Sequence, residues 1–185
     1  MNKAIKNIIV YFYKVDLFFC LRLNQFSKNN KILNLFNFIS WLGNGKVWYL
    51  IIFLIPFMSD SGILISIEMI CFGLIGTVIY KILKKKINRP RPYKINQSIY
   101  LGGKILDQFS FPSGHTLHAV IFSLILIFYF SFFSEILLIF TLLIALSRVI
   151  LGMHYPSDVF FGGLIGYIIF NLFMYYKNYE NFILI

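Results

Sequence analysis

Charged residues and proline are both scarce in this sequence. Of its 185 residues, 13% are charged and five are proline, whereas 59% are hydrophobic and 19% are aromatic. A soluble domain carries about 25% charged residues, so this composition and the mean hydropathy of +0.78 exclude an ordinary soluble protein. The high aromatic content also excludes a disordered chain. The two cysteines, Cys20 and Cys71, lie too far apart to suggest a disulfide framework or a cysteine zinc site. The composition therefore indicates a protein that lies in a bilayer.

Long apolar stretches occupy most of the chain after residue 40. Four are clear, at 62–83, 116–133, 136–151 and 159–176, and each is close to the length of a membrane-crossing helix. A fifth, 41–58, is less pure because it contains Lys46. Residues 5–23 and 31–41 alternate apolar and polar side chains, as an amphipathic surface helix or a degenerate first span would.

These stretches predict an all-α integral membrane protein, with five to six transmembrane helices in a bundle and an amphipathic N-terminal segment. We expect one domain over residues 1–185. Its residues 1–40 form the interfacial segment or degenerate first span, and residues 41–176 form the helical bundle.

Alternating helix directions predict that the polar motifs meet at one membrane face. If segment 62–83 ends at that face, the polar loop 84–112 lies there and the next helix runs away from it. Segment 136–151 then returns to the same face, and the last helix departs again. The residues gathered in this way are Lys84, Arg91, Ser113, His115, Arg148, His154 and Asp158.

A basic cluster follows the first clear apolar stretch. The net charge is +10, and six of the seventeen Lys and Arg residues fall between 81 and 91. In a soluble protein such charge would suggest nucleic acid binding, but beside a membrane segment it indicates contact with anionic headgroups or an anion-binding site. Lys84 offers a point charge and Arg91 a planar fork for phosphate oxygens. Pro90 and Pro92 predict that the helix ends two to three residues before Arg91.

The second motif, FPSGHT at 111–116, has the pattern of a helix start. Ser113 is a predicted N-cap, and Gly114 lets an anion approach the exposed backbone N–H groups. His115 then lies in the first turn, where it can give a proton to a leaving oxygen. Taken alone, the motif also fits a polar helix start with an interfacial histidine.

The third motif, SRVILGMHYPSD at 147–158, predicts a tight corner between two helices. Arg148 lies near the end of one helix, which Gly152 terminates, and Pro156 starts the next helix. His154 lies in the corner, with Asp158 close enough in sequence to bond its ring. A carboxylate that orients an imidazole makes its other nitrogen a better nucleophile. Alternatively, Asp158 only complements a helix N-terminus.

Together, Lys-x6-Arg-Pro, Pro-Ser-Gly-His and Ser-Arg-x5-His-x3-Asp resemble the tripartite signature of the type-2 phosphatidic acid phosphatase superfamily. Every signature residue is present, in order, between 84 and 158. The resemblance implies that His154 attacks phosphorus to give a phosphohistidine, that Asp158 orients it, and that His115 protonates the leaving group. It also implies a phosphate-binding set of Lys84, Arg91, Ser113, Gly114 and Arg148.

The same resemblance implies that the protein uses no metal and no other cofactor. Three cationic side chains can supply the electrostatic stabilisation that magnesium gives elsewhere. No pair of carboxylates in the motifs is available to hold a metal ion.

The implied function is that of a membrane phosphatase acting on a lipid phosphomonoester or diphosphate. Similarity to small bacterial members, notably in the HYPSD corner at 154–158, favours undecaprenyl diphosphate. Phosphatidylglycerophosphate, phosphatidic acid and lipid A phosphates are alternatives, and a non-catalytic anion- or lipid-binding membrane protein is an alternative of another class. The expected partners are the lipid phosphate and the bilayer, and not nucleic acid. The sequence indicates no oligomeric state.

Two arguments disagree about which side of the membrane carries the motifs. Besides the signature residues, this face has five basic side chains, Lys85, Lys86, Arg89, Lys94 and Lys104. The positive-inside rule would place them in the cytoplasm. The family resemblance implies a bacterial cytoplasmic membrane protein whose active site faces the exterior. We adopt the family orientation, because basic residues near a phosphate site have a second reason to be there.

Three further features are interpreted as structural. His118 lies one turn after His115, but no third metal ligand is nearby in sequence, so we expect it to line the site entrance. Glu68, inside an apolar stretch, is expected to be protonated or partnered between helices. The spacing of Gly162, Gly163 and Gly166 predicts close helix packing, either within the monomer or at a dimer seam.

Overall fold

Every regular element in the described part of the chain is helical, as the sequence predicts. The computed structural model describes residues 3–183, with side chains from residue 10 to residue 179. The helices are α1 (Lys3–Asn24), α2 (Asn30–Leu42), α3 (Lys46–Leu54), α4 (Gly62–Ile87), α5 (Pro92–Ile95), α6 (Gly114–Tyr129), α7 (Ser134–Ile150) and α8 (Pro156–Ile183). Short 3-10 turns lie at Gln25–Lys28, Ile55–Phe57 and Ser131–Phe133.

Helix α6 is at the centre of the bundle, where it packs against α4, α7 and α8. Its Leu117, Ile121 and Ile125 are fully buried, and their spacing of four residues places them on one face. On the outside, large apolar side chains are exposed, for example Phe132 at 91% and Phe57 at 77%. A soluble monomer rarely exposes so much apolar surface, so this exterior suits contact with lipid.

Three helical segments are long and apolar enough to cross a membrane: Gly62–Ile95, Ser131–Ile150 and Pro156–Tyr179. The pair Asn30–Leu42 and Lys46–Phe57, bent by 44°, adds a fourth if it forms one broken span. Helix α6 is apolar but has only 16 residues. The described residues therefore support three to four spans, and the count of five to six remains a prediction.

The apolar stretch 41–58, predicted to form one span, is divided in the structure. Helix α2 continues to Leu42, the chain breaks at 43–45, and α3 begins at Lys46. The break depends on Gly45, whose φ of +97° favours a residue without a Cβ. The break therefore lies inside the stretch 41–58, and residues 31–41 belong to the same bent pair as the stretch that follows them.

Helix α1 is docked against the face that carries the polar motifs. The Asn24 side chain at its end donates to the backbone oxygens of Tyr100, at 2.9 Å, and Ile150, at 2.8 Å. It also accepts a hydrogen bond from the Tyr100 N–H at 2.8 Å. One side chain thus joins α1, the long loop after α5 and the end of α7.

Glycines in α8 allow it to approach α6 closely. A Cβ at Gly162 would lie 2.5 Å from the Ser113 carbonyl oxygen, and one at Gly166 would lie 2.7 Å from that of Leu117. A Cβ at Gly163 would meet nothing closer than 3.8 Å. Of the two predicted roles, the glycine spacing therefore serves packing within the monomer.

Glu68 is partnered between helices, which was one of its two predicted states. It accepts hydrogen bonds from the Tyr129 hydroxyl at 2.5 Å and from the Lys177 ammonium at 3.2 Å. These contacts join α4, the end of α6 and α8.

His118 ties α6 to α4. Its Nδ1 donates to the Gly114 carbonyl oxygen at 2.8 Å, and its Nε2 lies 3.0 Å from the Thr77 hydroxyl. Gly114 belongs to α6 itself, so the contact between helices is made by Nε2, which also lies 3.1 Å from the Gly73 carbonyl oxygen of α4.

Candidate active site

The end of α4 and the turn that follows it position Lys84 and Arg91. The helix ends at Ile87 because Asn88 has a left-handed conformation, with φ of +49°, and Pro90 follows. Lys84 remains in the last helical turn, and Arg91 precedes α5. Both side chains are buried, at 6% and 2% exposure.

Asp107 joins these two cations. Lys84 Nζ donates to both of its carboxylate oxygens, at 2.7 and 2.6 Å, and Arg91 Nη2 donates to Oδ1 at 2.8 Å. Burial by itself would raise the pKa of Asp107, but the hydrogen bond and charge of Lys84, with the charge of Arg91, lower this pKa below its usual value. Asp107 is therefore an anion held by two cations, although it lies outside the three sequence motifs.

The start of α6 contributes Ser113, Gly114 and His115. Ser113 caps the helix, since its side chain accepts from the Thr116 N–H at 3.5 Å, and its own N–H donates to the Asp158 carbonyl oxygen at 2.9 Å. Gly114 is the first residue of the helix. His115 Nε2 donates to the Asn44 side-chain oxygen at 2.6 Å. The break between α2 and α3 thus provides a partner for His115.

Arg148, at 2% exposure, is a buried cation without a carboxylate partner among the described residues. Its Nη1 donates to the Ser40 hydroxyl, and its Nε has no hydrogen-bond partner. A buried charge without a counter-ion is costly, and so is a buried donor without an acceptor. The arrangement of Arg148 therefore suits an anion that is not part of the chain.

His154 lies in the corner between α7 and α8. The N–H groups of Met153 and His154 both donate to the Arg148 carbonyl oxygen, at 3.1 and 3.0 Å. Gly152 makes this turn with φ of +69°, and a Cβ there would lie 2.6 Å from the Tyr100 carbonyl oxygen. The predicted helix end at this glycine is confirmed, as is the start of α8 at Pro156.

The two ring nitrogens of His154 have different surroundings. Nε2 lies 3.3 Å from Arg91 Nη1, whereas Nδ1 has no hydrogen-bond partner and lies 3.6 Å from Asp158 Oδ2. The predicted pairing of His154 with Asp158 is thus a close contact, but not a hydrogen bond. Burial, followed by the charges of Arg91 and Arg148, holds the pKa of His154 well below its ordinary value. The imidazole is accordingly neutral at pH 7, and the lone pair of Nε2 faces the Arg91 guanidinium, which can only donate.

Hydrogen bonds and ion pairs link Lys84, Arg91, His154, Asp158 and Ser113, whereas His115 and Arg148 interact with His154 electrostatically. Contacts around these residues add five that were not predicted to belong to the site. These are Asp16, Ser40, Asn44, Arg89 and Asp107. Two of the five carry a sequence feature that could have marked them as candidate site residues. Asp16 is a carboxylate within an apolar helix, and Asn44 lies between two glycines. Nothing in the sequence distinguished Ser40.

Metal ligands are not grouped in the described part of the chain, since no three His, Cys, Asp or Glu side chains there could hold one ion together. The charged side chains around His154 are instead the cations Arg91, Arg148 and Lys84, with Asp158 and Asp107 as the nearby carboxylates. The site therefore has the chemistry of an anion receptor built around a neutral imidazole.

These features define a helical membrane protein with a buried, cation-lined candidate anion site beside a buried histidine. The chain belongs to the PAP2 superfamily, whose family model matches residues 63–182, and it is a phosphatase of that family. It is 28% identical, over 83% of its length and 73% of the relative's, to an undecaprenyl-diphosphatase of Sulfolobus acidocaldarius.

Two solved structures share the fold. One is the transmembrane PAP2 type phosphatidylglycerolphosphate phosphatase of Bacillus subtilis, with a TM-score of 0.72 and 23% identity, over 96% of this chain and 88% of that one. The other is LpxE of Aquifex aeolicus, with a TM-score of 0.71 and 30% identity, over 82% of this chain and 90% of that one. The family implied by the three motifs is thereby confirmed.

Proposed function

We propose that this protein is a metal-independent lipid phosphatase that works through a phosphohistidine intermediate. The observation that carries the proposal is the buried Arg148 next to the His154 corner. Arg148 has no carboxylate partner among the described residues, and its Nε has no hydrogen-bond partner. A phosphoryl group offers the negative charge and the oxygen acceptors that this side chain lacks. Phosphate oxygens also match the planar fork of an arginine.

The two ring nitrogens of His154 have separate roles in this proposal. Nε2, beside Arg91, attacks phosphorus, while the Nδ1 proton faces Asp158. As the N–P bond forms, the bond from phosphorus to the lipid oxygen breaks, and the ring becomes positively charged. The Asp158 carboxylate stabilises that charge.

His115 supplies the proton in the first half of the reaction. Once the anionic substrate is bound, His115 acts in its imidazolium form: it protonates the leaving oxygen of the lipid alcohol or lipid phosphate, and the resulting neutral ring then takes a proton from the water that cleaves the N–P bond. His115 Nε2 already carries a hydrogen, which Asn44 accepts in the resting site. The products are inorganic phosphate and a lipid with one phosphate fewer, and the enzyme returns to its starting state.

Lys84, Arg91 and Arg148 stabilise the phosphoryl oxygens in this proposal, together with Ser113 and Gly114 at the start of α6. The way in which Lys84 and Arg91 hold Asp107 supports this role, because their donors lie close enough together to bind two oxygens of one anion. Preorganised cations of this kind stabilise transition-state charge without a metal ion.

We propose undecaprenyl diphosphate as the substrate, converted to undecaprenyl phosphate. The relative from Sulfolobus acidocaldarius, an undecaprenyl-diphosphatase, supports this choice, as does the HYPSD corner. Phosphatidylglycerophosphate, phosphatidic acid and lipid A phosphates are the competing substrates.

A side-by-side assay tests the proposed function. Purified protein in detergent, with EDTA present, receives undecaprenyl diphosphate, phosphatidylglycerophosphate and phosphatidic acid at matched concentrations. We expect phosphate release from all active substrates to be unaffected by EDTA and to be fastest from undecaprenyl diphosphate. Strict dependence on added metal would contradict the mechanism. If orthovanadate binds but no lipid is hydrolysed, the protein is an anion-binding protein instead.

We also propose that the protein lies in the cytoplasmic membrane with its active site facing outward. Arg89 is used inside the site, in ion pairs with Asp16 and Asp158, and so it does not count as a free positive charge at this face. Ser98 is exposed in the loop beside the site, which makes it a suitable labelling position. In a background without cysteine, Ser98→Cys should react with a membrane-impermeant thiol reagent in intact cells. Labelling only after lysis would place the site in the cytoplasm.

A further inference from the structure

Asp158 is held by an arginine from outside the three motifs. Its Oδ2 accepts from the Tyr155 N–H at 2.8 Å, and its Oδ1 accepts from Arg89 Nη1 at 2.8 Å. The Asp158 side chain is fully buried. A buried carboxylate remains charged only when a cation or several donors face it. Arg89 is the closest cation to Asp158 among the described ion pairs.

Arg89 is in turn held by Asp16 of α1. Arg89 Nη2 donates to Asp16 Oδ2 at 2.5 Å, and its guanidinium lies 3.9 Å from the centre of the Tyr155 ring. With one carboxylate on each side and an aromatic ring against its face, the guanidinium plane has little freedom to turn.

Asp16 also fixes the first turn of α8. It accepts hydrogen bonds from the Ser157 N–H, at 2.9 Å, and from the Ser157 hydroxyl. Asp16 is itself only 7% exposed, although it lies on a helix whose neighbouring side chains are largely apolar. Burying a carboxylate in such a helix is unfavourable, and these partners explain how it is tolerated.

We propose that Arg89 and Asp16 are positioning residues for the His154–Asp158 pair, so that α1 completes the catalytic site. Arg89 keeps Asp158 ionised and aimed at His154, and Asp16 keeps Arg89 in place. This inference rests on the proposed function of His154 as the nucleophile. It gives α1 a role in catalysis, through Asp16, in addition to any contact of this helix with the membrane.

The positioning role differs from a purely structural one in what it predicts for the chemical step. Asp158 matters most once the imidazole becomes positively charged, after the substrate has bound. Loss of Arg89 should therefore lower kcat and leave KM nearly unchanged. A general loosening of the fold would also change KM, the binding of orthovanadate and the melting temperature.

Several charged or titratable groups around Asp158 influence how its variants respond to pH. They are Arg89 and Lys84 from the region where α4 ends, His154 and Tyr155 from the corner, and Asp16 and Cys20 from α1. Removal of Arg89 leaves the carboxylate without its nearest cation, and such a carboxylate takes up a proton more readily. The acid limb of the kcat profile should therefore move to higher pH in Arg89→Gln.

The test compares Arg89→Gln, Arg89→Lys and Asp16→Asn with the control Lys86→Gln, an exposed neighbour on the same segment. For Arg89→Gln we expect kcat to fall about 10- to 100-fold, as is common for partners behind a reactive side chain, while KM changes less than about threefold. Arg89→Lys, which keeps one charge but cannot reach both carboxylates equally, should recover part of the loss. Asp16→Asn should lower kcat without moving the acid limb upward, and Lys86→Gln should match the wild type.

Two results would overturn the inference. One is wild-type kcat and an unchanged pH profile in Arg89→Gln. The other is a loss of activity in which orthovanadate no longer raises the melting temperature, since this would place Arg89 in the fold or the phosphate cradle. An inactive wild type would instead contradict the proposed function, so the two failures are distinguishable.

Discussion

Replacing His154 by alanine is expected to abolish phosphate release from lipid substrates. We expect kcat to fall by at least about 10³-fold, because the variant has no atom that can form the covalent bond to phosphorus. His154 is buried and its low pKa keeps the ring neutral, so the wild type needs no deprotonation step before the attack. The measurement is single-turnover phosphate release at pH 7 in detergent, with the binding of orthovanadate measured in parallel. Binding should survive in the variant, because the cationic side chains remain.

Rapid quenching of the reaction tests directly whether a phosphoryl group becomes bound to His154. With substrate labelled on its terminal phosphate, the wild type should carry a label that survives alkali and is released by acid, as expected for phosphorus bound to nitrogen. His154→Ala should carry none. His118→Ala is the matched control, since His118 contacts Thr77 and the Gly114 backbone and should retain most of the activity. A labelled, fully active His154→Ala protein would disprove the mechanism.

The convergence of the motifs was predictable because their signals are local. Helix ends are marked by nearby residues, and the N-cap at Ser113, the glycine turn at Gly152 and the start of α8 at Pro156 are all found where the sequence predicted them. Once the helix ends are known, alternation across a membrane decides which ends share a face. The nature of the side chains then indicates the chemistry.

The partners of the motif residues could not be predicted, because they depend on contacts between distant segments. Asn44 lies 71 residues from His115, Ser40 lies 108 from Arg148, and Asp16 lies 141 from Ser157. Such contacts leave no periodic pattern in the sequence. The same holds for the bend between α2 and α3, which carries Asn44 to His115. Composition and spacing suggested one span over 41–58, whereas the packing of the bundle decides where that segment breaks.

Replacing Arg148 by glutamine is expected to have opposite effects on stability and on activity. We expect kcat/KM to fall by about 10²- to 10³-fold, as when one preorganised donor to a developing anion is removed. The melting temperature of the ligand-free protein should rise, because the substitution removes a buried charge that has no carboxylate partner among the described residues. For a chain of this length, each kcal/mol regained raises the melting temperature by about 2–4 °C. Differential scanning fluorimetry and phosphate release measure the two effects on the same preparation.

Binding of orthovanadate tests whether the change in melting temperature and the loss of activity in Arg148→Gln have the same cause. A ligand that binds only the folded state stabilises it in proportion to its occupancy, so orthovanadate should raise the melting temperature of the wild type and have little effect on Arg148→Gln. The control is Arg22→Gln, which removes an exposed arginine at the end of α1 and should change neither quantity. A lower melting temperature in Arg148→Gln, with full stabilisation by orthovanadate, would mean that Arg148 is a structural residue. The expected pattern would instead mean that the resting protein tolerates an unfavourable buried charge at Arg148, and that this charge is neutralised only when a phosphoryl group binds.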